Sequence, residues 1–177
     1  MLNNTIVVQL SKAIALIQHP INKQINTWAD LGCGNGLFTK ALSNLLADGS
    51  LIYAVDKNKS ALNKITLKTG IQLEKLVLDF IHDDLPFKNL SGILMANTFH
   101  FVKNKNAFIN KAFKCLNDDG YLLIVEYDTD KSNYWVPYAI SYKSLEKLFK
   151  VFNYTTQKLN EMPSRFNGVI YSAIVTR

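Results

Sequence analysis

The sequence predicts an open α/β domain, in which helices cover both faces of a seven-stranded, mostly parallel sheet. Short apolar runs alternate along the chain with segments whose apolar residues recur every three or four positions, as in amphipathic helices. The run 51–55 is apolar throughout, as expected of a parallel strand buried on both faces. Two runs near the end, 155–162 and 169–176, flank a segment with Pro163 and Gly168 and predict an antiparallel hairpin.

Length and composition favour a single globular domain over residues 1–177. The chain has 177 residues, of which 48% are hydrophobic, which suits one domain with a sizeable core. No apolar run is long enough to cross a bilayer, and the first residues lack the pattern of a secretory signal. Two cysteines are too few for a disulfide framework. We therefore expect a cytoplasmic protein with no membrane association and no metal site.

The remaining elements follow from periodicity and from turn residues. A leading helix is predicted over 4–18, within the region 1–20, with Val7, Leu10, Ile14 and Ile17 on one face. Further strands are predicted at 26–31, 76–81, 91–98 and 121–125, and further helices at 37–47, 59–68, 105–116 and 141–152. Turns are predicted at 48–49 and 117–120.

A glycine-rich segment, 30–36, lies between the first predicted strand and the helix 37–47 and reads D-L-G-C-G-N-G. Glycine tolerates the backbone angles of so tight a turn, and its missing side chain lets a ligand approach the backbone. The helix that follows directs its free N–H groups and the positive end of its dipole at the turn. The pattern predicts a cofactor-binding loop.

The glycine spacing separates the possible cofactors. A dinucleotide fingerprint reads G-x-G-x-x-G, whereas this loop reads G-x-G-x-G and has Leu37 where the third glycine would be. A P-loop is excluded because no Gly-Lys-Ser/Thr follows. A nicotinamide-dependent oxidoreductase stays an alternative, but this spacing is against it.

The string D-L-G-C-G-N-G resembles motif I of the class I S-adenosylmethionine-dependent methyltransferases, in particular a small, type 11-like member. The resemblance implies a Rossmann-like fold, S-adenosylmethionine as the cofactor and methyl transfer as the reaction. It also implies that the loop wraps the methionine end of the cofactor through Asp30, Gly32, Cys33, Gly34 and Gly36.

Asp56 ends the apolar run 51–55 and lies 20 residues after Gly36, the usual distance from a cofactor loop to a ribose-binding acid. A carboxylate is suited to this role because it accepts hydrogen bonds from both ribose hydroxyls. The alternative is a helix N-cap or a solvated turn residue. Lys57, which follows, could lay its aliphatic stem along the adenine.

The resemblance implies a second acid, at the end of the third strand, that binds the adenine amino group, while the next backbone N–H meets a ring nitrogen. Asp79 and Phe80 match this pattern best. However, the Leu-Pro-Phe at 85–87 begins six residues after Asp79, whereas the family usually places it four residues after the acid. Asp83 and Asp84 therefore stay as alternatives.

The segment 91–98 resembles motif IV, the strand that ends against both the methyl group and the acceptor, which implies that Asn97 lies near the methionine amino group. No Asn-Pro-Pro-Tyr or Asp-Pro-Pro-Tyr string follows, which argues against an adenine or glutamine N-methyltransferase. His100 has two interpretations. It could deprotonate or orient the acceptor, since a histidine takes up a proton near neutral pH, or it packs between Phe99 and Phe101 and bonds to a carbonyl.

The segment 127–140 is rich in aromatic residues and follows the fifth strand, where open α/β folds place their ligands. We predict that it forms the acceptor pocket, with Tyr134, Trp135 and Tyr138 as lining and Tyr134 as a second catalytic candidate. The alternative, which is stronger for Trp135, is that these rings pack the segment onto the core.

Charge bears on the acceptor. A formal net charge of +6 suits a polyanion, but only two of the 20 basic residues are arginine, the residue that makes most bidentate contacts to nucleic acids. Since no substrate domain is inserted, a small-molecule acceptor is favoured. An RNA methyltransferase and a non-catalytic S-adenosylmethionine-binding module stay as alternatives.

Overall fold

A computed structural model describes residues 2–19, 21, 23–164 and 168–177, with side chains from residue 9 onward. Within these residues, seven strands form one sheet and five α-helices pack against it. The strands are β1 Thr27–Leu31, β2 Leu51–Asp56, β3 Gln72–Val77, β4 Leu90–Ala96, β5 Leu116–Tyr127, β6 Thr155–Pro163 and β7 Val169–Thr176. The helices are α1 Leu2–Ile17, α2 Leu37–Leu45, α3 Lys59–Asn63, α4 Lys105–Phe113 and α5 Tyr142–Lys150.

The sheet has the strand order β3-β2-β1-β4-β5-β7-β6. Strands β1 to β5 are parallel, whereas β7 runs antiparallel to both β5 and β6. The chain starts in the middle of the sheet, extends to one edge and then returns to build the other half. The predicted α/β fold class, with its closing antiparallel hairpin, is confirmed.

Alternate residues of the central strands face two different helical layers. In β4, Leu94 packs with α1 and α2, whereas its neighbours Ile93 and Met95 pack with α4 and α5. In β5, Leu123 faces the first layer and Leu122 the second. Because both faces are covered, these strands are apolar throughout, which is why the sequence pattern found them.

The third strand was predicted in the wrong place. The structure has β3 at Gln72–Val77, whereas the sequence predicts 76–81. This strand lies at an edge of the sheet and most of its side chains are exposed, so it carries polar residues such as Glu74 and Lys75. The more apolar run that follows leaves the sheet and turns back at Asp79.

The predicted turn at 117–120 is also wrong. These residues belong to β5, which begins at Leu116. Leu90 of β4 pairs with Leu116, but Gly92 pairs with Tyr121, so the register shifts and the intervening residues of β5 bulge. Asn, Asp and Gly are common both in turns and in irregular strands, and only pairing with β4 separates the two outcomes.

Several predicted elements are confirmed with small changes of length. The predicted helix 59–68 ends at Asn63 and 105–116 ends at Phe113. The core side of α1 includes Ala13, Leu16 and Ile17; the Val7 side chain, Pro20 and the hairpin residues 165–167 lie outside the described residues. Among the helices that the structure describes, none combines the length and apolarity that crossing a bilayer requires.

Candidate active site

The carboxyl ends of the parallel strands gather most of the predicted site residues at one edge of the sheet. The glycine loop follows β1, Asp56 ends β2, and Asn97 follows β4. Glu126, near the end of β5, joins them. This edge is where open α/β sheets bind ligands.

The glycine loop folds back against the end of β2. Gly32 and Cys33 both donate their backbone N–H to the Val55 carbonyl, at 2.8 and 3.0 Å. The φ angles of Gly32, Gly34 and Gly36 are +76°, +52° and +79°, all in the left-handed region. Side chains beyond glycine are strained there, so the loop requires its three glycines for backbone reasons first.

The three glycines differ in what surrounds them. A Cβ on Gly32 would lie 2.6 Å from a methyl carbon of Thr98, and one on Gly36 would lie 2.7 Å from Ile65. A Cβ on Gly34 would meet no heavy atom of the described residues within 4 Å. Two glycines therefore allow close packing inside the protein, and Gly34 alone faces open space that a ligand could occupy.

Helix α2 begins directly after the loop. Gly36 is its N-cap, and no side chain of the described residues caps it. The first-turn N–H groups thus keep their capacity to bind an anionic or polar group above the loop.

Asp56 lies against the loop. One carboxylate oxygen accepts the Gly34 N–H at 2.8 Å, and the other accepts the Asn58 N–H at 2.8 Å. The N-cap of α3 is Asn58, whose side chain accepts the Ala61 N–H, so the structure does not use Asp56 as the helix cap. The carboxylate is held beside the open space at Gly34, and Lys57 is exposed next to it.

Asp30 lies beneath the loop rather than at its open face. It is almost completely buried and accepts a 2.6 Å hydrogen bond from the Thr39 hydroxyl of α2. Burial raises the pKa of Asp30 to about 7; the Thr39 hydrogen bond opposes this shift and the nearby Asp56 charge adds to it. Asp30 therefore ties β1 to α2 and titrates close to neutral pH.

The Cys33 side chain points away from the open face and packs with Ala54, Leu62 and Ile65. Burial raises the pKa of the Cys33 thiol, and the Asp30 and Asp56 carboxylates raise it further. The thiol thus stays protonated, and the residue offers a ligand only its backbone.

The loop after β3 is a tight turn around Asp79. The Asp79 carboxylate accepts the Ile81 N–H at 3.0 Å and lies 3.2 Å from His82 Nδ1, while the Asp79 N–H donates to Asp83 at 2.9 Å. Burial raises the pKa of Asp79, but the hydrogen bonds from His82 and Ile81 outweigh it, so the pKa is lowered. Asp83 and Asp84, the competing acids, are both exposed.

A lysine of α4 holds this loop in place. Lys111 Nζ donates to the carbonyls of Phe80, Ile81 and Asp83 at 2.9, 3.0 and 2.8 Å. The buried Phe80 ring lies 3.0 Å from the position of a Cβ on Gly32. The loop after β3 and the glycine loop are therefore in contact.

A cavity of about 850 Å³ opens beside the ends of β4 and β5. Asn97 and His100 line its inner wall, and residues of the segment 127–136 and of the β6–β7 hairpin complete it. Its volume lies within the usual range for small-molecule sites.

Asn97 sits between the loop and the cavity in a strained conformation. Its φ is +55°, which asparagine tolerates better than most residues, and its N–H donates to the Val125 carbonyl at 2.8 Å. Its side-chain oxygen is buried with no hydrogen-bond partner among the described residues. Strain together with an unsatisfied polar atom is typical of a functional position.

The two halves of the site meet at Asn97 and Thr98. Thr98 touches the Gly32 position and donates its hydroxyl to the Leu31 carbonyl at 2.9 Å, while Asn97 lines the cavity. The glycine loop and the cavity are thus separated by the width of one short segment.

His100 is buried on the cavity wall and paired with an acid. It is 3% exposed, and its Nδ1 lies 2.8 Å from a carboxylate oxygen of Glu126, which is 1% exposed. The other Glu126 oxygen accepts the His100 backbone N–H at 3.0 Å. His100 therefore contacts a carboxylate rather than a carbonyl, and its ring packs on Phe101 but not between two phenylalanines.

The aromatic segment is divided between cavity and solvent. Trp135 lines the cavity, although it is 78% exposed. Tyr134 is 87% exposed, packs edge-on against Trp135, and is not part of the cavity wall. The structure thus brings His100, but not Tyr134, to the wall of the cavity.

Sequence reasoning missed Glu126 and Lys111. An acid inside an otherwise apolar strand was a signal for Glu126, because a buried carboxylate needs a partner. Lys111 gave no such signal, since its position in the predicted helix is like that of any exposed lysine.

A cofactor loop after β1, an acid ending β2 and a cavity beside β4 and β5 define a nucleotide-cofactor enzyme of the doubly wound α/β class. In sequence, residues 29–124, more than half of the chain, match the family described as "Methyltransferase domain". The chain belongs to this family. The match confirms the predicted membership among the S-adenosylmethionine-dependent methyltransferases, and nothing in it favours an oxidoreductase. No curated protein sequence matches the chain significantly.

Solved structures share the fold at low sequence identity. An S-adenosylmethionine-dependent methyltransferase of Leishmania major is 17% identical, with a TM-score of 0.72 over 97% of this chain and 73% of its own. The 1,6-didemethyltoxoflavin-N1-methyltransferase of Burkholderia thailandensis, with its acceptor and S-adenosylhomocysteine bound, is 16% identical, with a TM-score of 0.69 over 96% and 79%. Magnesium protoporphyrin IX methyltransferase of Synechocystis, with bound S-adenosylmethionine, is 14% identical, with a TM-score of 0.67 over 98% and 79%.

Proposed function

We propose that the protein transfers the methyl group of S-adenosylmethionine, held at the glycine loop, to a small molecule bound in the cavity beside β4 and β5. The observation that carries this proposal is the open space at Gly34, which borders Asp56 and lies one short segment from the cavity. A donor bound there would present its methyl group toward the acceptor.

The residues around the loop suit the polar parts of the donor. The methionine end would lie over Gly34 and the first turn of α2, whose N–H groups suit its carboxylate. The unsatisfied Asn97 oxygen is an acceptor for its ammonium group. Asp56 would accept from the ribose hydroxyls, and the loop around Asp79 and Phe80 would bind the adenine.

Several residues that the sequence predicts to touch the donor would instead shape the loop around it. Asp30 and the Cys33 side chain lie beneath the loop, so they would shape it rather than touch the donor. Gly32 and Gly36 act in the same way, because internal packing occupies the space beside them. Lys57 is exposed and free of such packing constraints, and would cover the adenine from outside.

The protein's contribution to the reaction is mainly positional. The bound donor supplies an electrophilic methyl group on a sulfonium. Holding the acceptor atom in line with that methyl group, in a site that excludes water, could contribute roughly 7–11 kcal/mol to the lowering of the barrier. The cavity wall, which includes Asn97, His100 and residues of the segment 127–136, would supply that alignment.

A small-molecule acceptor is supported by the size of the cavity and by the name of the Burkholderia enzyme, whose acceptor is a small molecule. The chain has the two buried free cysteines Cys33 and Cys115, which suit the expected cytoplasmic location. Cell fractionation would test that location.

Isothermal titration calorimetry with S-adenosylhomocysteine and, separately, with NAD tests the proposal. We expect S-adenosylhomocysteine to bind at least about tenfold more tightly, a difference of about 1.4 kcal/mol. Tighter binding of NAD would contradict the proposal. A donor that binds without transfer to any acceptor in a metabolite extract would instead identify a non-catalytic binding module.

A further inference from the structure

The buried pair formed by His100 and Glu126 has a fixed geometry. Both carboxylate oxygens of Glu126 accept hydrogen bonds from the same residue, one from the backbone N–H at 3.0 Å and one from the ring Nδ1 at 2.8 Å. Two contacts to one residue set the orientation of the imidazole ring. Because Nδ1 faces the carboxylate, the ring edge that His100 can present to the cavity carries Nε2.

The Glu126 carboxylate also selects the tautomer of the ring. A carboxylate accepts hydrogen bonds only, so a neutral His100 keeps its proton on Nδ1 and leaves a lone pair on Nε2. Resting on the proposed function, we propose that His100 is the general base that takes the proton of a hydroxyl group on the acceptor, and that Glu126 is its positioning residue.

The other titratable groups near the pair have other partners. Lys105 of α4 donates its Nζ to the carbonyls of Val102 and Tyr138. Burial lowers the pKa of Lys105, and the Glu126 charge opposes that shift. Burial and the same charge raise the pKa of Tyr127, so this neighbour resists ionisation. Across the cavity, Asp128 accepts the Tyr142 N–H, and Lys131 lies in the exposed segment.

A buried base favours one class of acceptor. A neutral amine already has a lone pair, and thiols ionise at a lower pH than hydroxyls, so neither depends on a base as strongly as a phenol or enol does. The cavity also exposes apolar side chains at Phe101, Trp135 and Val169, which suit an apolar body. The geometry points to a hydroxyl group carried on an apolar ring.

The proposed step couples proton transfer from the acceptor to methyl transfer from the donor. The acceptor O–H proton moves to Nε2 of His100 as the oxygen lone pair forms a bond to the methyl carbon. The carbon–sulfur bond breaks, and its electron pair stays on sulfur, which neutralises the sulfonium charge. The imidazolium, stabilised by Glu126, afterwards releases its proton to solvent. The products are a methyl ether and S-adenosylhomocysteine.

Two phenols of different acidity test this step, with S-adenosylmethionine as the donor. At about pH 8, 4-methylphenol needs a base, whereas 4-nitrophenol is already largely ionised. We expect His100→Gln to lower kcat for 4-methylphenol about 100-fold or more, and to lower it for 4-nitrophenol less than about tenfold. Glu126→Gln should give the same pattern with a smaller loss and little change in KM.

Matched controls distinguish the loss of the His100–Glu126 pair from a general loss of activity on substitution. His19→Gln and Glu146→Gln replace exposed residues away from this pair, and both should methylate the two phenols like the wild type. Affinity for S-adenosylhomocysteine should be unchanged in all variants. If His100→Gln fails to fold, the rates of Glu126→Gln with the two phenols test the inference instead. Glutamine preserves the shape of the buried glutamate side chain, so this variant should fold.

Three results would overturn the inference while the donor still binds. They are equal losses for the two phenols in the variants, transfer to thiophenol or aniline but to no phenol, and transfer to none of these probes. Failure of the wild type to bind S-adenosylhomocysteine would instead overturn the proposed function, and the inference with it.

Discussion

The proposed donor region, formed by the glycine loop, Asp56 and the loop at 79–83, is built differently from the proposed acceptor cavity. Its hydrogen bonds mostly involve backbone groups, such as the N–H groups of Gly32 and Cys33 on the Val55 carbonyl and the Gly34 N–H on the Asp56 carboxylate. The wall of the acceptor cavity is made of side chains from segments far apart, including His100, Trp135 and Val169. A site formed by backbone groups requires glycine at particular positions. A site lined by side chains can be built from many different residues.

The two regions also differ in burial. The proposed donor region is anchored by buried residues such as Asp30 and Phe80, while at the cavity rim Trp135 is 78% exposed and Phe101 44%. We therefore expect the proposed donor region to change little when its ligand binds, and the cavity rim to adjust to the acceptor. Substitutions in the two regions should then have separable effects, on donor affinity in one and on transfer in the other.

The largest effect is expected from Gly34→Val. A branched side chain at this position would occupy the open space over the loop, so donor affinity should fall more than about 100-fold, or about 2.8 kcal/mol. Gly49→Val is the matched control, because Gly49 also has a positive φ, +91°, but lies in the turn before β2. Calorimetry with S-adenosylhomocysteine measures both, and normal binding by Gly34→Val would show that no ligand lies over the loop.

Asp30→Asn should change how stability depends on pH. The folded-state pKa of Asp30 is about 7, above the ordinary 3.8, so the folded protein holds an extra proton between these values. The free energy of unfolding contributed by Asp30 therefore falls as pH rises from about 4 to 7, and the loss is complete above that window. Asparagine does not titrate, so the variant should not show this decrease in unfolding free energy, which amounts to roughly 2–4 kcal/mol in the wild type.

Urea unfolding of Asp30→Asn and wild type at several pH values would measure that difference. We expect the variant to gain stability relative to the wild type as pH rises through the window. A constant difference at every pH would mean that Asp30 is ionised throughout, and that the buried carboxylate is better solvated than its surroundings indicate.

Asp56→Ala should weaken donor binding by roughly 1.5–3 kcal/mol, the range for hydrogen bonds to a charged group. The substitution also removes the acceptor for the Gly34 N–H, so Asp56→Asn, which keeps one carbonyl oxygen, should lose less. Asp48→Ala, at an exposed turn, serves as the control. Calorimetry that shows equal affinity for Asp56→Ala and wild type would place the ribose elsewhere.

The smallest effect is expected from Tyr134→Phe. The side chain is 87% exposed and outside the cavity wall, so loss of its hydroxyl should change transfer rates less than about threefold, in keeping with the small effect of most surface substitutions. Steady-state kinetics with 4-methylphenol and 4-nitrophenol as acceptors would measure this. A loss of more than about tenfold would restore Tyr134 as a catalytic residue and would imply that the segment 127–140 closes over the acceptor.

Where prediction from sequence failed, pairing or burial had decided the outcome. The strand β3 was predicted in the wrong place because an edge strand carries polar residues such as Glu74 and Lys75, which hide the apolar signal. The predicted turn at 117–120 was wrong because Leu116 and Tyr121, on either side, both pair with β4, so the residues between them bulge within β5. Neither feature is local, so neither is visible in a window of neighbouring residues.

The order of strands and helices, the glycine loop and the acid at Asp56 were determined by the sequence itself. Each depends on residues that are neighbours along the chain, through apolar periodicity, backbone freedom at glycine or a short spacing. Only the tertiary structure decided three other features. They are which of the three glycines faces open space, the burial of Asp30 under the loop, and the pairing of His100 with Glu126. Those features join residues up to 66 positions apart, such as Gly32 with Thr98, and such contacts exist only once the sheet has brought its strand ends together.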